Sequence, residues 1–156
     1  MALQVGVNSY VTVSEADAYF TERIYADEWQ AANTPTKEKA LIQACKRINR
    51  LAFKGVKADE AQLLAFPRIM PVFNRVGVIG FTEGAMVPQE VKDAQCEEAL
   101  ALLKYGNSAR TKAQEQNVVR VNFGEVSEEY RASLKLLSKE ALELLKPYLA
   151  GVVSIK

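Results

Sequence analysis

Thr34-Pro35-Thr36-Lys37-Glu38-Lys39-Ala40-Leu41-Ile42-Gln43-Ala44-Cys45-Lys46-Arg47-Ile48-Asn49-Arg50-Leu51 is the stretch whose reading decides the fold. Proline at the first position of a helix gives up an amide that has no intrahelical partner there, and its fixed φ already suits the helix. Beyond it Ala40, Leu41, Ala44, Cys45, Ile48 and Leu51 recur at spacings of three and four and form one buried stripe. Lys37, Lys39, Gln43, Lys46, Arg47 and Arg50 occupy the other faces. The spacing predicts an amphipathic helix from Thr34 to about Leu51.

The same start signal recurs at Val87-Pro88-Gln89-Glu90, where Val91, Ala94, Gln95, Ala99, Leu102 and Leu103 mark a second helix. It should end near Tyr105-Gly106-Asn107, since glycine permits the left-handed turn that closes helices. Upstream, Ser14 is the expected cap of a first helix reaching Arg23, with Asp17 as a weaker substitute for the usual Glu and Ala16, Tyr19, Phe20 and Ile24 on one face. Strand-favouring residues Ser9-Tyr10-Val11-Thr12-Val13 precede it, and a short helical piece over Asp27 to Ala32 holds Trp29. Downstream, the last helix is expected from about Ser138 to Tyr148, weakened at its end by Pro147 and terminated by Gly151.

Two regions are less regular. From Phe53 to Ala85 the periodicity breaks around Gly55, Pro67, Pro71, Gly77, Gly80 and Gly84, which fits a long loop or a β-hairpin. Ser108 to Gln116 is polar and reads as exposed, and Val118 to Phe123 alternates like a strand. Gly124 then permits a hairpin, or Ser127 caps an earlier start of the last helix, with Leu134, Leu137, Ala141, Leu144 and Tyr148 in helical register. The expected fold is therefore mainly α: a helical bundle with a long loop or β-hairpin arm and a short β element before the C-terminal helix. A single domain covers 1–151 with the arm at about 66–87, and 152–156 form a C-terminal tail.

At 156 residues the chain is long enough for one real core, and 49% apolar with 25% charged residues is a globular composition. Twenty basic and nineteen acidic residues leave a net charge of +1, without the excess of a dedicated nucleic-acid binder, so any DNA contact must be local. Met1-Ala2-Leu3-Gln4-Val5-Gly6 lacks a basic leader, and no apolar run approaches the roughly 20 residues of a membrane helix. A cytoplasmic origin and no membrane partner are expected. Cys45 and Cys96 sit among apolar residues at helical spacing and read as buried free thiols.

The sharpest negative is histidine, of which there is none. That removes imidazole-dependent triads, the commonest general base at neutral pH and zinc sites built with histidine. No phosphate-loop, dinucleotide or calcium-loop pattern occurs. Glu97-Glu98, Glu128-Glu129 and Asp59-Glu60 point in different directions when helical and read as solvated surface charge rather than metal ligands. No catalytic, cofactor-binding or metal-binding residue is expected, and the chain is not expected to be an enzyme. Lys46, Arg47, Arg50, Lys54 and Lys57 form a basic run with no acid among them, a possible patch for DNA or an acidic partner or simply a solvated helix face.

Several landmarks occur together in order: Ser9-Tyr10-Val11-Thr12-Val13-Ser14-Glu15-Ala16-Asp17-Ala18-Tyr19-Phe20, Trp29, Lys39-Ala40-Leu41-Ile42-Gln43-Ala44 and Phe53-Lys54-Gly55. Ala65-Phe66-Pro67-Arg68, Val87-Pro88-Gln89-Glu90-Val91-Lys92-Asp93-Ala94-Gln95-Cys96-Glu97 and Leu144-Leu145-Lys146-Pro147-Tyr148-Leu149 complete the series. Across most of its length the chain resembles the head-tail connector, or neck adaptor, family of long-tailed phages, some members of which are labelled DnaT-like single-stranded DNA-binding proteins. Phe66 stands where that family's pattern leads one to expect tryptophan.

The resemblance implies a homo-oligomeric ring, usually twelvefold, beneath the portal protein and above the next neck or tail-completion protein. DNA passes through its channel without sequence-specific binding. Assembly in the host cytoplasm and a final place in the virion neck go with that role. It also implies that the final helix and tail dock on the portal, with Tyr148, Leu149, Val152, Val153, Ser154, Ile155 and Lys156 as candidates. Met70, Phe73, Val76, Val78, Ile79 and Phe81 are the candidate arm residues for a neighbouring subunit or the tail-side protein, because such side chains are costly to leave in water. The rival reading is a DnaT-like single-stranded DNA-binding module, which would call for aromatic platforms inside a basic groove.

Overall fold

The computed structural model describes residues 2–82, 86–106 and 136–150. Among them the helices are α1 (Val13–Thr21), α2 (Asp27–Ala31), α3 (Thr34–Asn49), α4 (Gln89–Tyr105) and α5 (Lys139–Leu145), the last continued by a 3-10 turn at Lys146–Tyr148. Two small antiparallel sheets complete the fold: β1 (Val56–Lys57) with β2 (Arg68–Ile69), and β3 (Pro71–Asn74) with β4 (Gly77–Phe81). The mainly α architecture with short β elements is the expected one. The Val118–Phe123 strand, the alternatives at Gly124 and Ser127, the Ser108–Gln116 stretch and the 152–156 tail lie outside the described residues.

The decisive helix forms as its sequence requires. Asn33 caps it through a bond from Thr36 N at 3.0 Å, Pro35 sits in the first turn, and Ala40, Leu41, Ala44, Cys45 and Ile48 are buried. It closes at Asn49, short of Leu51, so Lys54 is not on it. The first helix starts earlier than Ser14. Thr12 caps it, its Oγ1 accepting from Glu15 N at 3.0 Å while the Glu15 carboxylate accepts from Thr12 N at 3.4 Å, a complete capping box. It ends at Thr21, which leaves Ile24 off the helix and exposed.

The strand-favouring stretch Ser9–Val13 forms no strand, only an isolated bridge from Ser9 to Val5. Val13 belongs to α1, and the amides of Tyr10 and Val11 are satisfied by side chains: Tyr10 N donates to Gln95 Oε1 at 2.8 Å and Val11 N to Ser9 Oγ at 3.2 Å. A polar side chain in the core has taken the place of a strand partner.

Helix α4 runs through the middle of the molecule. Val91 and Ala94 join Tyr10, Ile48, Phe53, Phe66 and Leu145 in one apolar cluster, while Cys96, Ala99 and Leu100 join Phe20, Trp29 and Leu41 in another. Cys45 and Cys96 are buried free thiols as expected, and burial pushes the Cys45 thiol up to about 12, far from reactive. Gly106 caps α4 at φ −57, so the expected left-handed closure is absent.

Trp29 is fully buried, 4.7 Å from the Phe20 ring, and its Nε1 donates to Asp17 Oδ1 at 2.8 Å. Lys37 donates to the same oxygen at 2.9 Å and lies over the indole, so one carboxylate joins α1, α2 and α3.

Among the described glycines Gly55 has the closest neighbour. It holds φ +74, and a Cβ there would lie 2.0 Å from the Ile69 carbonyl oxygen across the β1–β2 pair. Gly55→Ala is expected to lower stability by about 2 kcal/mol or more, because both the conformation and the space reject a side chain. Urea unfolding checks this, and a midpoint equal to the parent's would remove the steric reading.

Candidate functional site

The described residues hold no group of three or more potential metal ligands. No helix among them is long and apolar enough to cross a membrane. The functional surfaces are sought in the arm, the C-terminal end, the basic run and a sizeable groove.

The arm is a hairpin shorter than the 66–87 expected. Phe66 is core, packed edge-on against Phe53 at 4.8 Å and Tyr10 at 6.2 Å. Met70, an expected arm contact, packs half-buried against the same cluster and so anchors the hairpin instead. Asn74 builds the turn, its Oδ1 accepting from Val76 N at 2.8 Å and Gly77 N at 3.1 Å. Beyond that root Val76 (93% exposed), Val78, Ile79 (61%) and Phe81 (69%) stand in solvent, as contact residues must. The backbone of Phe73 pairs with Val78, and its side chain lies outside the described residues.

Tyr148 and Leu149 do not fit a free docking end. Leu149 is buried and bridges to Phe53, while Tyr148 meets the Phe66 ring at 5.8 Å and donates from its hydroxyl to Glu90 at 3.1 Å. Their partners are internal, so of the docking candidates only Val152, Val153, Ser154, Ile155 and Lys156 remain, and these lie outside the described residues.

The basic run is dispersed. Lys46, Arg50 and Lys57 are exposed, Lys54 follows the helix with its amide bonded to Tyr148 O at 2.8 Å, and Arg47 turns inward to Glu98 at 3.5 Å. Arg68 is occupied by backbone: its guanidinium donates to the carbonyls of Lys54 and Gly55 at 2.8 Å, Ala65 at 3.2 Å and Phe53 at 3.4 Å. It clamps the hairpin root to the 53–55 segment.

The surprise is Glu97 and Glu98, which are buried and not solvated surface charge. Glu97 accepts from Arg23 Nε at 2.7 Å, Arg23 Nη2 at 2.9 Å and the Tyr19 hydroxyl at 2.5 Å. Glu98, with 0% exposure, accepts from the amides of Leu137 at 2.9 Å and Ser138 at 2.8 Å at the start of α5. Adjacent residues do point apart, as expected, but each found its own partner inside the molecule. The sequence signal was that α4 carries apolar residues on every side, which makes it a central helix rather than a surface one.

Beside Glu97 lies a half-open groove of about 480 Å³ whose floor is Leu100, Ala101 and Leu137 and whose rim carries Lys104, Tyr105 and Glu140. At its edge Tyr25 holds φ +58, a conformation that a bulky residue rarely adopts. Lys104 Nζ donates to the Tyr25 carbonyl at 2.6 Å and Arg23 donates to that of Ile24, so two cations hold the strained turn. The turn presents Ile24 and Tyr25 outward, each about three-quarters exposed.

Compared with known families, residues 2–156 match the one described as "Putative DnaT-like ssDNA binding protein". The chain belongs to that family. No curated protein and no solved structure gave a significant match. The description of this DnaT-like family names single-stranded DNA and no phage connector, so it favours the second functional reading over the first. In this DnaT-like chain the landmark residues Tyr10, Trp29, Phe53, Phe66, Gln95 and Leu149 are all buried, so they carry the fold.

Glu98 makes stability depend on pH. Burial pushes its carboxyl up to about 7, against the lowering pull of the Leu137 and Ser138 amides and of Arg47. A carboxyl raised on folding contributes stability that is complete below its unfolded value and disappears as pH rises through the folded one. Unfolding followed from pH 4.5 to pH 8 should therefore show a loss attributable to Glu98 on the order of 3 kcal/mol. Glu98→Gln should flatten that part of the profile, and an unchanged slope would show that Glu98 does not titrate there.

Proposed function

We propose that this chain is a structural head-tail adaptor of a tailed phage. It forms a ring under the portal, joins head to tail in the virion neck, and surrounds the DNA exit channel without catalysing a reaction. The observation that carries this reading is the hairpin, whose Val76, Val78, Ile79 and Phe81 stand exposed on an arm anchored by Met70 and Arg68. A monomer that keeps such an apolar arm in water gains by covering it with protein. The ordered sequence landmarks, which resemble neck adaptors, support the same reading. Its partners would be further copies of itself, the portal protein and the next neck or tail-completion protein.

The family description favours a second reading, binding of single-stranded DNA. Lys46 and Arg50 are exposed and available for phosphates, and Lys57, also exposed, donates to the Gln62 carbonyl at 3.5 Å. Against it, Tyr10, Phe20, Trp29, Phe53 and Phe66 are buried and offer no stacking platform.

Both readings meet in one pair of measurements on the purified full chain. Electron microscopy of the chain mixed with portal should show added ring density, and Val78→Ser with Ile79→Ser should abolish it while shifting stability by no more than about 0.5 kcal/mol. Anisotropy of a labelled oligothymidine should show only weak, salt-sensitive binding. Tight single-strand binding that Lys46→Ala, Arg50→Ala and Lys57→Ala remove, together with no portal complex, would reverse the order of the two readings.

A further inference from the structure

The hairpin and the groove are the two uncovered apolar surfaces that stand out among the described residues, and they lie toward opposite ends of α4. The hairpin is rooted where Met70 and Val87 pack beside Val91 and Ala94, at the start of that helix. The groove opens over Leu100, Ala101 and Tyr105 near its end, and its Lys104 donates to the carbonyl of the exposed Tyr25. At about 1.5 Å of rise per residue, Leu100 to Tyr105 lie roughly 18 to 25 Å along the axis from Pro88. Strand β4 is only about 17 Å long, and its side chains stand in solvent rather than over the groove. Within one copy neither surface covers the other.

We propose that they cover each other between copies, the hairpin of one chain seating in the groove of the next. This rests on the assembly reading above and names its lateral contact. The chemistry of the two surfaces matches. Between Ile69 and Thr82 the hairpin carries a single charge, Arg75 at its turn, and presents Val78, Ile79 and Phe81. The groove offers an apolar floor of Leu100, Ala101 and Leu137, and on its rim, beside the exposed Lys139, Glu140 is exposed to receive Arg75. Its other acid, Glu97, is already bound by Arg23 and Tyr19. Because the two surfaces are different, the contact is head-to-tail, and such contacts generate closed rings or open filaments according to the rotation between copies.

Light scattering of the full chain across a concentration series tests the contact. The mass should rise above that of a monomer with concentration, and Ile79→Glu on the hairpin or Tyr105→Glu in the groove should each weaken association at least about tenfold. Ile79 is exposed, so thermal unfolding of Ile79→Glu should match the parent, and circular dichroism of Tyr105→Glu checks that its fold is kept. Mixing the two variants tests polarity: each keeps one good surface, so the mixture should recover a one-to-one dimer and nothing larger. Arg75→Glu and Glu140→Lys should each weaken association alone and restore it when combined in one chain.

A parent chain that stays monomeric at every concentration overturns the contact, as does self-association that neither Ile79→Glu nor Tyr105→Glu changes. Loss of oligothymidine binding in Tyr105→Glu with no change of mass would assign the groove to DNA and overturn it too. The adaptor reading fails separately: head-to-tail oligomers that ignore the portal sink the adaptor and leave this contact standing.

Discussion

Gln95, Glu97 and Glu98 lie within four positions on the helix around which everything else is packed, and all three are buried. A buried polar group stabilises a fold only when its hydrogen bonds are made, and it costs several kcal/mol when they are not. Each of these side chains therefore dictates where another segment must lie. Gln95 takes the Tyr10 amide and gives its own protons to Ser9 Oγ and the Leu41 carbonyl, fixing the N-terminal segment against α3 and α4. Glu97 holds Tyr19 and Arg23, and Glu98 holds Arg47 and the start of α5. The apolar clusters supply the bulk of the burial, but they do not distinguish one helix rotation from another as sharply as these bonds do.

That dependence explains what was legible in the sequence. Pro35 and Pro88 announced helix starts through local chemistry, and the α3 stripe through period, so both helices were found with ends correct to within a few residues. The Met70-to-Met86 region carried the turn residues of a hairpin, and a hairpin is there. The errors fell where a distant partner decides. Ser9-Tyr10-Val11 has strand-forming residues but is satisfied by Gln95, some 85 positions away. Glu97-Glu98 looks like surface charge until Arg23 is seen to come in from the turn after α1 and Arg47 from α3. Tyr148 and Leu149 looked like part of a free end because Phe53, Phe66 and Glu90, which hold them, are remote in the chain.

The landmarks that mark the family bear on function for the same reason. Ser9, Tyr10, Trp29, Phe66 and Gln95 are buried, and Arg68 is bound to four carbonyls, so a family match through such residues transmits a scaffold. The residues free to meet a partner, Val76, Val78, Ile79, Phe81, Ile24 and Tyr25, lie outside most of those landmarks. Membership of the DnaT-like family is thus compatible with either reading of what the surface touches.

Charge and aromatic placement separate them. Single-strand binding joins stacking faces to cations that can leave their present contacts for phosphate. Among the described residues the strongly exposed aromatic side chains are Tyr25, Phe81 and Tyr105. The cations nearest Tyr25 and Tyr105 are engaged: Arg23 with Glu97 and the Ile24 carbonyl, Lys104 with the Tyr25 carbonyl and, at 4.0 Å, Glu28. Phe81 stands on a hairpin whose one charge is Arg75. Exposed Lys46, Arg50 and Lys57 in turn have no exposed aromatic side chain beside them in sequence. Stacking and charge are thus held in different places, whereas apolar side chains and an apolar groove are each left uncovered among the described residues. That distribution suits contact with protein better than contact with a nucleic-acid strand.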